Sequence, residues 1–237
     1  MFALSILFVF SMSFAGFMLG MFKRGNNKKI LALSMGIAAG IMLATTIWSL
    51  FIPSFEYEIS PFIVIAMFIA GSLFILIIDY IIRKISKREI RSWQKIYMAV
   101  TIHNIPEGIV IGIAYGLSLL YKEYNGLLSI ALAIGIQNLP ESIALTIPLL
   151  KEKFSRKQIL KYGFLNSIVE PISALIGFLF IIIFEDGVSL FMSFAAGTMF
   201  YVIITEVIPE SMKEEVNYAT VGSVIGFIEM VMLEIFL

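Results

Sequence analysis

Apolar blocks of roughly twenty residues follow one another along the whole chain, separated only by short polar stretches. A block of that length matches a helix crossing a hydrocarbon core of ~30 Å. Lipid offers the backbone no hydrogen-bond partner, so such blocks can only be helices, whose amides bond within the segment. Eight of them fall at about 1–22, 30–52, 61–82, 94–120, 127–150, 158–184, 188–209 and 216–237. They predict an all-α, polytopic membrane bundle of eight transmembrane helices, with residues 1–237 forming a single transmembrane domain. Composition agrees. The 237 residues are 59% hydrophobic and 14% charged, with a mean hydropathy of +0.96, whereas a soluble domain carries about 25% charged residues. A soluble enzyme is thereby excluded. The formal net charge is zero, so no nucleic-acid partner is expected. The absence of cysteine excludes disulfides and thiolate chemistry, and a single histidine excludes a His-rich metal site within one chain.

Basic residues sort sharply. Lys23, Arg24, Lys28 and Lys29 follow the first block, and Arg83, Lys84, Lys87, Arg88, Arg91 and Lys95 the third. Lys151, Lys153, Arg156, Lys157 and Lys161 follow the fifth, and Lys213 the seventh. Sixteen of the 17 basic residues thus share one side of an eight-helix arrangement, with only Lys122 opposite. The positive-inside rule makes that side cytoplasmic, with both termini outside the cell membrane. No basic residue precedes the first block, so Met1 to Met21 is expected to stay as a membrane helix rather than act as a cleaved signal.

Two pairs of segments echo each other. His103-Asn104-Ile105-Pro106-Glu107-Gly108 in the fourth block resembles Gln137-Asn138-Leu139-Pro140-Glu141-Ser142 in the fifth. Ala38-Ala39-Gly40-Ile41-Met42 in the second resembles Ala195-Ala196-Gly197-Thr198-Met199 in the seventh, each followed ten or eleven residues later by Ile-Pro. Within each pair the two blocks run in opposite directions. Inverted repeats around central fourth and fifth helices, with ligands near the midplane, are typical of secondary transporters.

Ionisable groups inside a bilayer are costly and mark ion or proton routes. His103 and Glu107 stand four residues apart on one helix face, as do Gln137 and Glu141. Helical rise carries the chain ~12 Å from Lys95 to His103 and ~18 Å to Glu107, which reaches the middle of the membrane. Pro106 and Pro140 cannot donate to the carbonyls of Ile102 and Ile136. Asn104 and Asn138 sit beside the first ligands, and Glu170, before Pro171, lies at similar depth in the sixth block. Met42 adds a thioether, with Ser49 two turns further along the same face; Met199 reads as packing. Imidazole, carboxylate, amide oxygen and thioether together suit a borderline divalent transition metal. The bland alternative is a hydrogen-bond network between helices, against which three carboxylates would repel without a counter-cation. Glu206 near the exit reads either as a group that receives a departing cation or as a solvated interfacial acid, and Glu229 as an intramembrane acid with no assigned partner.

These motifs resemble those of the ZIP (Zrt/Irt-like) metal-ion transporters. The Gln137 variant, the string AAGIMLATTIWSLFIP from position 38, Val169-Glu170-Pro171 and FAAGTMFYVIITEVIPE at 194–210 look like the GufA-type branch. The resemblance implies one site of Met42, His103, Glu107, Gln137 and Glu141. It also implies an adjoining site of Asn104, Asn138 and Glu170 that shares Glu107 and Glu141, together with a homodimer and elevator-like alternating access. Ser142 departs from the usual glycine, which puts local packing in question. The cytoplasmic loop after the third block holds no histidine, so no metal-sensing role transfers to it.

The expected function is import of divalent metal ions, zinc or cadmium first, with manganese or iron as lesser cargo. The ion is a transported substrate, and no prosthetic group is expected. The alternative is a proton-coupled carrier or channel that uses the same carboxylates mainly as a relay. An intramembrane metallohydrolase would need an open metal and a general base, and His-Glu-x-x-His is absent.

Overall fold

The computed structural model describes residues 1–22, 28–85, 92–184, 187–213 and 215–236, and among them the regular structure is all helix, without a strand. The basic residues Lys23, Arg24, Lys87, Arg88 and Arg91 lie outside the described residues. Eight helices are long and apolar enough to cross a membrane. They are α1 (Phe2–Phe22), α2 (Lys28–Ala44), α3 (Pro61–Ile85), α4 (Ser92–Tyr121), α5 (Asn125–Lys151), α6, α7 and α8 (Val216–Phe236). The sixth is split into α6a (Arg156–Ser167) and α6b (Val169–Ile183), and the seventh into α7a (Val188–Val202) and α7b (Ile208–Met212).

Within the bundle α2 packs on α8, α3 on α7a, α4 on α6b and α1 on α5. Lipid tails are as apolar as leucine, so burial alone does not hold such helices together; small residues do, by letting backbones approach. At the α2–α8 crossing, a Cβ added to Gly40 would overlap the Ser223 carbonyl, and one on Gly226 the Ile37 carbonyl. At the α3–α7a crossing, Gly197 meets the Phe68 carbonyl and Gly71 the Phe194 carbonyl. Hydroxyls add fixed points: Ser72 donates to the Gly197 carbonyl at 2.9 Å and Ser193 to the Val64 carbonyl at 2.7 Å.

Both α2 and α7a run into a π-helical turn, Thr45–Phe51 and Ile203–Val207, just ahead of Pro53 and Pro209. Widening to i→i+5 bonding disturbs the ordinary carbonyl ladder, a feature frequent at functional sites. Thr45 and Thr46 help to fill it, their hydroxyls donating to the Ile41 and Met42 carbonyls at 2.9 and 2.8 Å. Pro106 and Pro140 leave α4 and α5 continuous as helices.

Candidate metal centre

Each acid of the predicted site falls near the midpoint of its helix: Glu107 in α4, Glu141 in α5, and Glu170 where α6a gives way to α6b. All three are buried, at 0%, 5% and 1% exposure. Gly108 and Gly112 bring them together. A Cβ on the first would strike the Glu170 carbonyl and Ser173 Oγ, and one on the second the Ala174 carbonyl, so α4 and α6b touch backbone to backbone at the acids. Glu170 lies within electrostatic reach of both Glu107 and Glu141.

Amides surround them. Gln137 Nε2 donates a short hydrogen bond to Glu107 Oε1, joining α5 to α4. That bond commits the amide nitrogen and leaves Gln137 Oε1 buried without a hydrogen-bond partner. Both oxygens of Glu170 and both polar atoms of Asn138 are also buried without a close hydrogen bond, the Asn138 amide facing the Glu170 carboxylate. An unsatisfied buried polar atom costs ~1–3 kcal/mol, more if charged, and buried charges in proteins are paired or coordinate metals. A donor set rich in carboxylate and amide oxygen therefore fits a cation.

Asn104 is buried in α4, and its Nδ2 donates to the Asn166 carbonyl at 3.4 Å. Met42 is buried with Ala39, Ile75, Val202, Ile203 and Val207, so the structure sets its thioether among apolar side chains of α2, α3 and α7. Met199 packs in the main apolar core with Val110, Ile134 and Ala196. The His103 side chain lies outside the described residues. Among those described, no three His, Asp or Glu side chains gather closely enough to hold an ion by themselves.

Sequence reasoning missed Asn166. It is buried, and Thr101 Oγ1 bonds its Oδ1 at 2.9 Å while also donating to the Tyr97 carbonyl at 2.7 Å. Its signal was available: Asn166 precedes Glu170 by four residues, the interval of His103 to Glu107 and Gln137 to Glu141. The packing question at Ser142 also resolves. Gly16 of α1 sits against it, so close that an added Cβ would lie 2.6 Å from Ser142 Cβ. Ser13 Oγ then lies 3.2 Å from Ser142 Oγ and accepts from Ser167 Oγ at 2.9 Å, tying α1, α5 and α6a beside the acids.

Fold and site together define a multi-pass helical membrane protein with a buried, acid-rich polar centre. A family model described as "ZIP Zinc transporter" matches residues 84–234, and the chain belongs to that family. Among its relatives, Zinc transporter ZIP11 of Homo sapiens is 28% identical over 150 residues, 61% of this chain and 44% of that protein. Zinc transporter GufA of Myxococcus xanthus is 34% identical over 138 residues, 58% of this chain and 53% of the relative. Zinc transporter ZupT of Chlorobium chlorochromatii (strain CaD3) is 28% identical over 258 residues, covering 94% of both. The matches to ZIP11 and GufA thus span about half of those relatives, and the match to ZupT nearly all of it.

Proposed function

We propose that this chain carries divalent transition-metal ions across the cell membrane into the cytoplasm, with zinc as the main cargo. The observation that carries the reading is the cluster of buried acids and amides at the midpoint of α4, α5 and α6, in which Gln137 Oε1, Asn138 and Glu170 make no close hydrogen bond. Family membership and the zinc-transporter names of the relatives support it. Glu107, Gln137 and Glu141 would hold one ion together with His103 and Met42. Asn104, Asn138 and Glu170 would add an adjoining position that shares the two glutamates.

Alternating access through inverted repeats is supported by how the helices cross. Ile37 faces Gly226 as Phe194 faces Gly71, and Gly40 faces Ser223 as Gly197 faces Phe68. One register therefore carries α2 and α8 onto α7a and α3, and it also superposes the two π-helical turns. Charge sorting supports termini on the outer side, and the family resemblance supports a homodimer.

The test is metal flux into proteoliposomes of the purified protein, with and without imposed pH and voltage gradients. Zinc uptake lost in Glu107→Ala and Glu141→Ala is the expected result. Uptake unchanged in both variants would overturn the assignment of the site, and uptake that requires a proton gradient would make the carboxylates a relay.

A further inference from the structure

The end of the bundle that carries the termini holds a polar arrangement that the central site does not use. Ser49 lies in the π-helical turn after α2, Ser129 in the second turn of α5, and Glu234 in the last turn of α8. Both serines are buried, and both donate to the same carboxylate oxygen, Glu234 Oε2, at 3.2 and 2.9 Å. Neither hydroxyl bonds the other oxygen, Oε1. Glu234 also lines a cavity of about 510 Å³.

From this geometry we infer that Glu234, with Ser49 and Ser129, forms a second cation-binding station, where a divalent ion pauses with most of its water shell before reaching the central site. The inference rests on the transport reading above. Three observations carry it. The described residues lining the cavity include Glu56, Glu123 and Glu234 and no lysine or arginine; a cleft of one sign with low-dielectric walls concentrates counter-ions. The cavity leads toward the central acids: Val110 lines it one turn from Glu107, and Ser129 lies about 12 Å of helical rise from Gln137. Finally, the register that relates the helix crossings pairs Asp79 with Glu234 and Glu206 with Ser49, so the opposite mouth carries acids at the matching positions.

The chemistry sets what the station can do. A carboxylate and two hydroxyls offer only oxygen, and a hard-oxygen set backed by water binds Ca²⁺ and Mn²⁺ as readily as Zn²⁺. It collects charge without choosing the metal; choice belongs to the central site, to which the transport reading adds the imidazole of His103 and the thioether of Met42. Because both serines act on Oε2, an arriving ion can take Oε1 while the hydroxyls hold the carboxylate in place.

The experiment removes the central site first. In full-length Glu141→Ala protein in detergent, Mn²⁺ and Zn²⁺ binding measured by equilibrium dialysis should leave one weak site of similar affinity for both ions, and adding Glu234→Gln should abolish it. Glutamine still accepts from both serines, so the fold is kept while the charge goes; unchanged gel-filtration and melting profiles verify this. In the wild-type background, Glu234→Gln should raise the KM for zinc uptake about tenfold with the maximal rate retained, the scale on which a focused field changes encounter rates. A weak site that survives Glu234→Gln, or an unchanged KM, overturns the station. Absence of zinc uptake by the wild-type protein itself would instead overturn the transport reading and leave the station testable, because the weak site is read by binding alone.

Discussion

At the scale of single residues, the centre is organised by what each amide has already committed. Gln137 spends its nitrogen on Glu107 and keeps a carbonyl oxygen, so it presents a harder donor than an imidazole would at that place. Replacing it tests selectivity: Gln137→His should strengthen zinc relative to manganese, and Met42→Ala should weaken cadmium more than manganese. Competition of each ion against labelled zinc uptake measures both, and an unchanged cadmium-to-manganese ratio in Met42→Ala would make that thioether packing alone. Asn166 and Thr101 act one step further out, because the Asn166 carbonyl is what Asn104 leans on and Thr101 holds the Asn166 side chain. Thr101→Val loosens the Asn166 side chain but leaves the carbonyl that Asn104 uses, so it should cost a measurable part of the metal affinity, short of the ~10–100-fold of losing a direct outer partner of a ligand. Wild-type affinity in that variant would leave Asn166 a helix-packing residue. The acids themselves were legible in the sequence, since charge inside an apolar block announces itself. Ser49 was placed on the Met42 face and Asn166 carried the four-residue interval to Glu170, but what either bonds, and Ser129 altogether, was not legible, because serine and asparagine in a membrane helix bond their own backbone as readily as a neighbour, and only packing says which.

At the scale of helices, the sequence predicted the blocks closely. The third was expected at 61–82 and runs Pro61–Ile85, and the sixth was expected at 158–184 and spans Arg156 to Ile183 across its two segments. The break at Ile168 and the two π-helical turns were illegible for a physical reason. Apolar patterning reports which face is buried, and it is nearly blind to one extra residue in a single turn. Close crossings were half legible: glycine shows as a letter, but its neighbour does not. Gly108 and Gly126 make the contrast testable. Gly108 faces the Glu170 backbone, whereas a Cβ on Gly126 meets nothing within 4 Å. Gly108→Ala should push α6b away from α4, costing ~1–3 kcal/mol by overpacking and most of the zinc flux. Gly126→Ala should leave both unchanged. Thermal melting in detergent and flux in proteoliposomes report the two quantities, and equal behaviour of the two variants would refute the backbone contact as the reason the acids meet.

At the scale of the whole molecule, the inner and outer mouths are distinguished by charge. The described part of the termini-bearing end presents Glu56, Glu123 and Glu234 around its cavity, and the other end bears nearly all the lysine and arginine. A membrane potential negative inside and an anionic inner leaflet both favour basic residues on the cytoplasmic side, so the acidic cavity should face outward, where a cation arrives. Lys122 and Lys153 stand at opposite ends of α5, both exposed and both outside the packed core. In this cysteine-free chain, single variants Lys122→Cys and Lys153→Cys give an unambiguous readout. A membrane-impermeant maleimide applied to intact cells should label the first and spare the second until the membrane is opened by detergent. Labelling of Lys153→Cys alone would turn the molecule over: the acidic cavity would then open to the cytoplasm, and Glu234 would become the last group a metal leaves rather than the first it meets.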